Sequence, residues 1–195
     1  VYQHAGVPYK NLFLTPNGLD IDAYRFTDKP KYPDRSICIG KIEDRKRQYF
    51  LQSIDSLWFA GNIADNRFNQ NKNYLGEIPK SKIKTDLTDY GNLVLVSDGE
   101  VHPRVCTEAL AAGLGIVISE CGIANLDLDK PFITVIPDSR VDDIEYIESQ
   151  IIINRDYSIS HKRDILEYAR QFDWDNIINQ YYIPSINKIR SHYVS

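Results

Sequence analysis

The sequence predicts an α/β fold, a doubly wound parallel sheet of about six strands with helices on both faces. Short apolar runs alternate along the chain with segments whose apolar residues recur at helical spacing. The apolar runs are continuous, which is typical of strands buried on both faces of a parallel sheet. The chain has 195 residues, 43% of them hydrophobic, which is enough for one such domain with a core and too few for two.

The first half of the chain contains three predicted strands, after an N-terminal segment over residues 1–35 that ends in a linker at residues 28–35. These strands lie at residues 36–42, 57–61 and 74–76. Helices are predicted through residues 49–54 and over residues 79–90, where the apolar positions fit a helix face.

The second half begins with a strand, helix and strand that organise the remainder. A helix is predicted near residues 104–112, because Pro103 suits the first turn of a helix and Gly113 suits the position after its end. Strands are predicted at residues 93–97, 115–119 and 132–136.

Three further helices complete the predicted fold. One opens at Asp138 or Ser139, where a polar side chain can cap the first turn. The next covers residues 160–172. A closing amphipathic helix occupies about residues 173–195, and Pro184 should kink or end it.

Two glutamates flank the start of the helix predicted near residues 104–112. Glu100 lies in the loop before it and Glu108 lies within it, with seven residues between them. In such a unit the loop opens on a crevice, and the helix start offers N–H groups and a positive dipole to an anion. Glu100 would then lie beside a ligand, and Glu108 could accept hydrogen bonds from hydroxyls further along it. The alternative is two solvated carboxylates.

A cluster of cations follows the first predicted strand directly. Lys41, Arg45, Lys46 and Arg47 lie within seven residues of one another. One interpretation is a solvated helix start. The other is a site for a diphosphate, for which lysine supplies a point charge without the bidentate geometry of arginine.

The segment from residue 97 to residue 119 resembles the E-x7-E signature of group 1 retaining glycosyltransferases of the GT-B fold. The matching residues are Ser97, Glu100, Glu108, Ala109, Gly113 and the strand Gly115–Ser119. The family usually has E-G-F-G after the first glutamate, whereas this chain has Val-His-Pro-Arg at residues 101–104. The resemblance implies a Rossmann-like C-terminal domain that binds the sugar donor.

Three other segments extend the resemblance over most of the chain. The N-terminal segment is similar to the family's NG-(V/I)-D-x-x-x-F, with matches at Asn17, Gly18, Asp20 and Phe26. The family's G-R-x-x-x-x-K is matched by Gly40, Lys41 and Lys46. The closing F-(S/D)-W-(D/E) segment is matched around Trp174.

The resemblance also implies a role for each site residue. The implied donor-binding residues are Lys41, Arg45, Lys46, Gly76, Ile78, Glu100, His102, Arg104, Val105 and Glu108. Of these, Glu100 and Lys46 are the implied catalytic residues, since Glu100 contacts sugar hydroxyls and Lys46 stabilises the leaving diphosphate. Glu108 is expected to bind the ribose. The base is expected to contact backbone atoms of residues 76–79, which leaves no side-chain code for its identity.

The function that the resemblance implies is retaining transfer of a sugar from a nucleoside diphosphate to an acceptor. An N-terminal GT-B domain that is missing here would hold that acceptor, so the isolated domain is expected to be inactive. Two alternatives remain open, a non-catalytic nucleotide-sugar-binding module and a GT-B-like sugar-nucleotide epimerase.

Composition narrows the partners and the location. A formal net charge of −4 argues against general nucleic-acid binding, which needs clustered cations. No apolar run approaches the roughly 20 residues that span a bilayer, and no N-terminal signal is present in the sequence. We therefore expect a cytoplasmic protein that meets a membrane surface only through the missing domain.

No metal or other cofactor is expected. The cysteines Cys38, Cys106 and Cys121 lack C-x-x-C spacing, so buried reduced thiols are the prediction. The four histidines are far apart in the sequence. Two D-x-D patterns, at residues 20–22 and 127–129, are discounted because the predicted cations would already neutralise a diphosphate.

Overall fold

The structure, a computed structural model, describes residues 13, 15–70, 72–100 and 103–193. Its centre is a sheet of five strands in the order β2-β1-β3-β4-β5, and all four pairings are parallel. The strands are β1 (Tyr32–Ile39), β2 (Leu57–Ala60), β3 (Tyr90–Leu95), β4 (Gly115–Ser119) and β5 (Ile133–Ile136). The predicted fold class is confirmed.

The third of the six predicted strands, at residues 74–76, does not join the five-stranded sheet as a strand. It forms only one isolated parallel bridge, between Tyr74 and Phe59 of β2. The amide of Phe59 donates to the Asn73 carbonyl and the amide of Leu75 donates to the Phe59 carbonyl, both at 2.9 Å. With this bridge counted as the outermost strand, the spatial order becomes the 3-2-1-4-5-6 order of doubly wound nucleotide-binding sheets. The order reverses between β1 and β3, so a ligand crevice is expected at their carboxyl ends.

Helices cover both faces of the sheet. They are α1 (Gln48–Leu51), α2 (Lys80–Asp86), α3 (Arg104–Ala111), α4 (Ile144–Ser160), α5 (Lys162–Ala169), α6 (Trp174–Ile177) and α7 (Ile183–Tyr193). Leu93 and Leu95 of β3 pack on the side of α3 and α5, whereas Val94 packs on the side of α1 and α4. No helix among the described residues is long and apolar enough to cross a membrane.

The predicted strand limits differ from the structure mainly at both ends of β1 and at the start of β3. β1 begins at Tyr32, within the predicted linker, and ends at Ile39 instead of residue 42. Pro33 is accommodated because the pairing of β1 with β3 shifts register between Tyr32 and Ser36. β3 begins at Tyr90, which the sequence placed in the preceding helix, since that helix ends at Asp86.

Three of the predicted helices also extend beyond the observed helices at one or both ends. α1 has only four residues and stops before the buried Ile54. α4 begins at Ile144, not at residue 138 or 139, because the carboxylate of Asp143 accepts the amide of Tyr146 at 2.9 Å and caps the helix. The helix predicted at residues 160–172 is interrupted at His161, and α5 then ends at Ala169.

The closing segment passes through Pro184 without ending. Pro184 is the second residue of α7, and a π-helical stretch at residues 178–182 directly precedes it. A wider turn accommodates a proline that has no N–H to donate. The start of this segment pairs with the N-terminal segment, because the amide of Leu19 donates to Phe172 at 2.8 Å and the amide of Trp174 donates to Leu19 at 3.1 Å.

A network of buried polar side chains occupies the amino-terminal edge of the sheet. The amide nitrogen of Asn154 lies 3.2, 3.0 and 3.0 Å from the carbonyls of Ile116 and Phe132 and the hydroxyl of Thr134. Asn92 donates to the Asn154 side-chain oxygen at 2.9 Å. These bonds join β3, β4 and β5 to α4.

Lys162 lies buried at the same edge. Its ammonium donates to the carbonyls of Thr88 and Gly113, both at 3.2 Å. Burial lowers the pKa of Lys162 from 10.5 to about 8. The charged form is therefore held at a cost in the folded state.

Candidate functional site

Two loops meet at the carboxyl ends of β1 and β3, where the strand order reverses. Arg45, from the loop after β1, donates to the Glu100 carboxylate at 3.1 Å and to the carbonyl of Gly99. In return the amide of Asp98 donates to the Arg45 carbonyl. The structure thus joins a residue of the predicted cation cluster to the first glutamate of the E-x7-E segment.

The loop after β1 is shaped by Gln48, whose side chain is only 1% exposed. Its amide oxygen accepts the backbone N–H of Glu43, and its amide nitrogen donates to the Lys41 carbonyl, both at 3.1 Å. Arg47 has a left-handed backbone with φ of 51° where the loop turns into α1. The loop is therefore fixed from inside, while Lys41 and Arg45 are exposed and Lys46 and Arg47 are half-buried.

Two glycines close the floor of the crevice. A Cβ on Gly40 would lie 2.8 Å from the ammonium of Lys46, so Lys46 extends back over the end of β1. A Cβ on Gly61, at the end of β2, would lie 1.9 Å from the Gly40 carbonyl. Both glycines also have positive φ, 144° and 147°. Their lack of side chains allows backbone and cations to approach one another closely.

A cavity of about 200 Å³ lies beside this floor. Gly40 and Lys41 line it on one side, and Glu77 and Ile78 line it on the other. The side chain of Asn62 donates to the Glu77 carboxylate at 2.7 Å at its edge. The loop predicted to contact the base, with Gly76 and Ile78, therefore lies next to residues predicted to contact the diphosphate.

Ser119 and Cys121 hold the loop that carries Glu100. The hydroxyl of Ser119 donates to the Ser97 carbonyl at 2.6 Å and accepts the Ser97 amide at 3.0 Å. The thiol of Cys121 donates to the same carbonyl at 2.9 Å and accepts the amide of Gly99 at 3.1 Å. The end of β4 thus positions the segment just before Glu100.

The three cysteines are reduced, as predicted, but only two of them are buried. Burial raises the pKa of the Cys38 thiol to about 12 and raises the pKa of Cys106 further. Cys121 is half-buried at the crevice, so the prediction that all three are core thiols was wrong for Cys121.

Glu100 and Arg45 form an ion pair. The side chain of Glu100 is 14% exposed, and Arg45 also pairs with Glu43 at 2.9 Å. Lys41 pairs with the other oxygen of Glu43 at 3.7 Å. Glu43 therefore orients two of the predicted diphosphate-binding cations, a role that the sequence did not suggest.

The second glutamate of the segment lies inside the domain. Glu108 is 9% exposed, which argues against a solvated helix-face carboxylate. It lies near the phenol of Tyr24, and burial together with the charge of Glu108 raises the pKa of Tyr24. Arg104 begins α3 on the exposed side, and Val105 packs partly against the core.

A second cavity, of about 330 Å³, opens next to the start of α3. Arg104, Tyr24, Asp20, Lys80 and Lys84 are among its lining residues. Three of these residues are cations, and among the described residues Arg104, Lys80 and Lys84 form no ion pair. The cavity is thus lined by three cations and the carboxylate of Asp20, and it adjoins Tyr24, which lies near Glu108.

Two predictions for the site remain, the donor contact of His102 and the question of a metal site. His102 lies outside the described residues, so its predicted contact with the donor stays a prediction. Within the part of the chain that the structure describes, no group of three or more metal-ligating side chains comes together.

Two residues near the site, Tyr24 and Gln48, were not identified from the sequence. Tyr24 stands four residues after Asp20, at the aromatic position of the D-x-x-x-F motif, whereas Phe26, chosen for that match, stands six residues after it. Tyr24 lies in the core, and Phe26 packs beside Gly113. The spacing was therefore a usable signal for Tyr24. Gln48 gave none, because it acts on backbone atoms of its own loop.

Comparisons with known proteins identify the fold. No protein-family profile and no curated protein sequence matches the chain. Among solved structures, Anabaena HepE in complex with UDP-glucose has a TM-score of 0.72 at 16% identity, over 97% of this chain and 60% of that one. Sucrose-phosphate synthase from Thermosynechococcus elongatus has a TM-score of 0.69 at 14% identity, over 92% and 53%.

A third structure, the apo form of the lipopolysaccharide outer core galactosyltransferase WaaB, has a TM-score of 0.69 at 13% identity, over 98% of this chain and 58% of that one. This chain therefore spans 53% to 60% of the length of the three proteins. The chain has the fold of the Rossmann-like C-terminal domain of GT-B glycosyltransferases.

Proposed function

We propose that this chain is the donor-binding domain of a retaining GT-B glycosyltransferase of group 1. The observation that carries the proposal is the meeting of Arg45 and Glu100 across the strand-order reversal. It places the cation cluster and the E-x7-E segment in one crevice, next to the start of α3. A nucleoside diphosphate sugar needs this combination, since it presents a dianion, a polyol and a ribose in sequence.

In this proposal the cations stabilise the departing diphosphate. Negative charge develops on the diphosphate oxygen as the glycosidic bond breaks, and Lys46 and Lys41 lie near the end of β1, where they can stabilise it. The N–H groups at the start of α3 add a further positive field. Glu100 holds hydroxyls of the sugar, and Glu108 holds hydroxyls of the ribose. No metal is needed for charge neutralisation in this arrangement.

The structural neighbours support the ligand class. They are glycosyltransferases, and HepE has been solved with UDP-glucose. Because this chain spans 53% to 60% of their lengths, we propose that the acceptor is bound by a separate N-terminal domain. We also propose that the reaction takes place in the cytoplasm. Retention is proposed from the E-x7-E segment alone.

A second candidate is a nucleotide-sugar-binding module without catalysis. The departure from E-G-F-G at residues 101–104 favours it, because the small residues that would let the backbone approach a phosphate are absent there. Binding without turnover by the complete protein would favour the module.

Calorimetric titration with UDP, GDP and ADP tests the proposal. At least one is expected to bind saturably, and Lys46→Ala should weaken it by roughly 1.5–3 kcal/mol, since the lysine contributes a charge-assisted hydrogen bond. Lys130→Ala is the matched control, because Lys130 pairs with Asp127 away from the crevice and its loss should leave binding unchanged. No saturable signal with any of the three, from folded protein, would refute the donor site.

A further inference from the structure

The phenol of Tyr24 is a buried polar group that the proposed function does not use. Tyr24 is 6% exposed, and its hydroxyl makes no hydrogen bond of ordinary geometry in the described part of the chain. Buried hydroxyls in folded proteins almost always have a partner, so each exception calls for an explanation. The residue is one of only three with such an atom among those described.

Three charged residues act on this phenol. Glu108 has the largest effect of the three and, with burial, raises the pKa of Tyr24, while Arg104 lowers it and Asp20 raises it. The hydroxyl therefore keeps its proton at neutral pH and is available as a donor. The carboxylate of Glu108 is the acceptor that it lies beside.

The positions of both side chains are fixed by the fold. Tyr24 follows a 3-10 turn at Ile21–Ala23, and its amide donates to the Ile21 carbonyl at 3.1 Å. The next residue, Arg25, donates its amide to the Lys84 carbonyl at 2.8 Å, which attaches the turn to α2. Glu108 is held within α3. The phenol is therefore within reach of the carboxylate, since hydrogen bonding to Glu108 is among the causes of the raised pKa of Tyr24.

The cavity of about 330 Å³ lies beside this pair, because Tyr24 is part of its lining. Its other walls carry Arg104, Lys80 and Lys84, so it favours a polar, electron-rich ligand. The ammonium of Lys84 lies 5.8 Å from the centre of the Tyr24 ring. The ribose end of a nucleotide fits this surrounding better than an apolar group does.

We infer that Tyr24 is a positioning residue that orients the Glu108 carboxylate toward the 2′- and 3′-hydroxyls of a ribonucleotide. The inference rests on the proposed function and extends it to the choice of ribose over deoxyribose. An ionised carboxylate has two acceptor oxygens. When the phenol donates to one of them, the other is fixed toward the ligand, and less orientational freedom is lost on binding.

The test compares a ribonucleotide with its deoxy counterpart on wild type and Tyr24→Phe. The ligands are whichever of UDP, GDP or ADP binds best and the corresponding 2′-deoxynucleoside diphosphate. Wild type is expected to prefer the ribonucleotide by about tenfold, as one lost hydrogen bond requires. Tyr24→Phe should reduce this preference by roughly three- to tenfold through weaker ribonucleotide binding, with a smaller loss for the deoxynucleotide, which keeps only its 3′-hydroxyl.

Tyr90→Phe is the matched control. Tyr90 is likewise a buried phenol in the same core cluster, and burial raises its pKa to about 12, but the charged residues that act on it are Arg35, Asp86 and Asp89 instead of Glu108. Its loss should leave the preference for ribose unchanged. Tyr24→Met repeats the test without a ring if the phenylalanine variant melts below the assay temperature.

Two outcomes separate this inference from the proposed function. An unchanged ribose preference in the folded Tyr24 variants, or equal losses for both nucleotides, overturns the role of Tyr24 and leaves the donor site standing. Absence of binding by any nucleotide to wild type overturns the donor site itself. In a double-mutant cycle, Glu108→Gln should abolish the effect of Tyr24→Phe on the preference, and fully additive losses would contradict the inference.

Discussion

The two edges of the sheet use polar side chains in opposite ways. At the amino-terminal edge, Asn92, Asn154 and Lys162 are buried and turn their donors to backbone and side-chain acceptors of the domain. At the carboxyl-terminal edge, Lys41 and Arg45 are exposed and face a crevice. The buried polar groups stabilise the fold, whereas Lys41 and Arg45 pair with carboxylates at the crevice and are exposed enough for a ligand to reach them.

The amino-terminal edge should respond most strongly to mutation. Asn154→Ala removes an amide whose nitrogen donates to three acceptors and whose oxygen accepts the side chain of Asn92, so the buried Asn92 amide loses a partner. We expect a loss on the order of 4 kcal/mol in the free energy of unfolding, measured by denaturant titration. Asn179→Ala is the control, because its exposed side chain makes a single bond within a helix and should cost well under about 1 kcal/mol. Equal losses for the two variants would contradict the comparison.

The second prediction concerns pH and the buried ammonium at that edge. The pKa of Lys162 is about 8 in the folded chain, below its ordinary value of 10.5. Below pH 8 both states hold the proton and the full cost of the buried charge, about 3 kcal/mol, is present. As pH rises from 8 toward 10.5, Lys162 releases its proton first in the folded state. The free energy of unfolding therefore increases relative to that of a variant without the ammonium, Lys162→Met.

The measurement is the difference in unfolding free energy between wild type and Lys162→Met across that range of pH. Lys130→Met serves as a control, since Lys130 is an exposed partner of Asp127. A difference that stays constant with pH in the Lys162 variant would show that its ammonium is solvated.

The carboxyl-terminal edge should show the smallest effect on stability and a selective effect on binding. Glu100→Gln keeps an acceptor but loses the charge, so affinity for a nucleotide sugar should fall by roughly 1–3 kcal/mol more than affinity for the free nucleotide. Calorimetry with both ligands measures the difference. Glu120→Gln, a neighbouring exposed carboxylate after β4, should change neither.

A Glu100 variant that loses both affinities equally would point to a different role. The carboxylate would then order the loop through its contact with Arg45 and would not contact the sugar hydroxyls. Glu108→Gln is expected to weaken both ligands together, because both carry the ribose.

The fold could be predicted wherever a single local signal dominated. The Pro103 to Gly113 frame defined α3 closely, and the continuous apolar run ending at Val96 located the second half of β3, since each is a local property. The start of β1 could not be predicted, because Pro33 in a strand depends on a register shift against β3. The marginal bridge at Tyr74 likewise depends on its partner strand and not on its own residues.

For the candidate site, the sequence located the loops but not their contacts. Lys46 and Glu100 were predicted as site residues because charged residues follow buried strands there and match the family's motifs, and their roles stay predictions. The Arg45–Glu100 contact joins residues 55 positions apart, and no periodicity encodes it. Ser119 looked like the last residue of a strand, and its hold on the Ser97 backbone follows only from the pairing of β3 with β4.

The pairing of Leu19 with Asp173 has a mechanical consequence. The two segments run in parallel, joined by hydrogen bonds of 2.8 and 3.1 Å, and the Trp174 indole lies over Gly18, where a Cβ would approach it to 2.4 Å. Tension applied to the chain before Leu19 and after Trp174 would pull the segments past each other in shear. Both bonds and the indole contact would then bear the load together, so the junction shields the sheet from force until it slips.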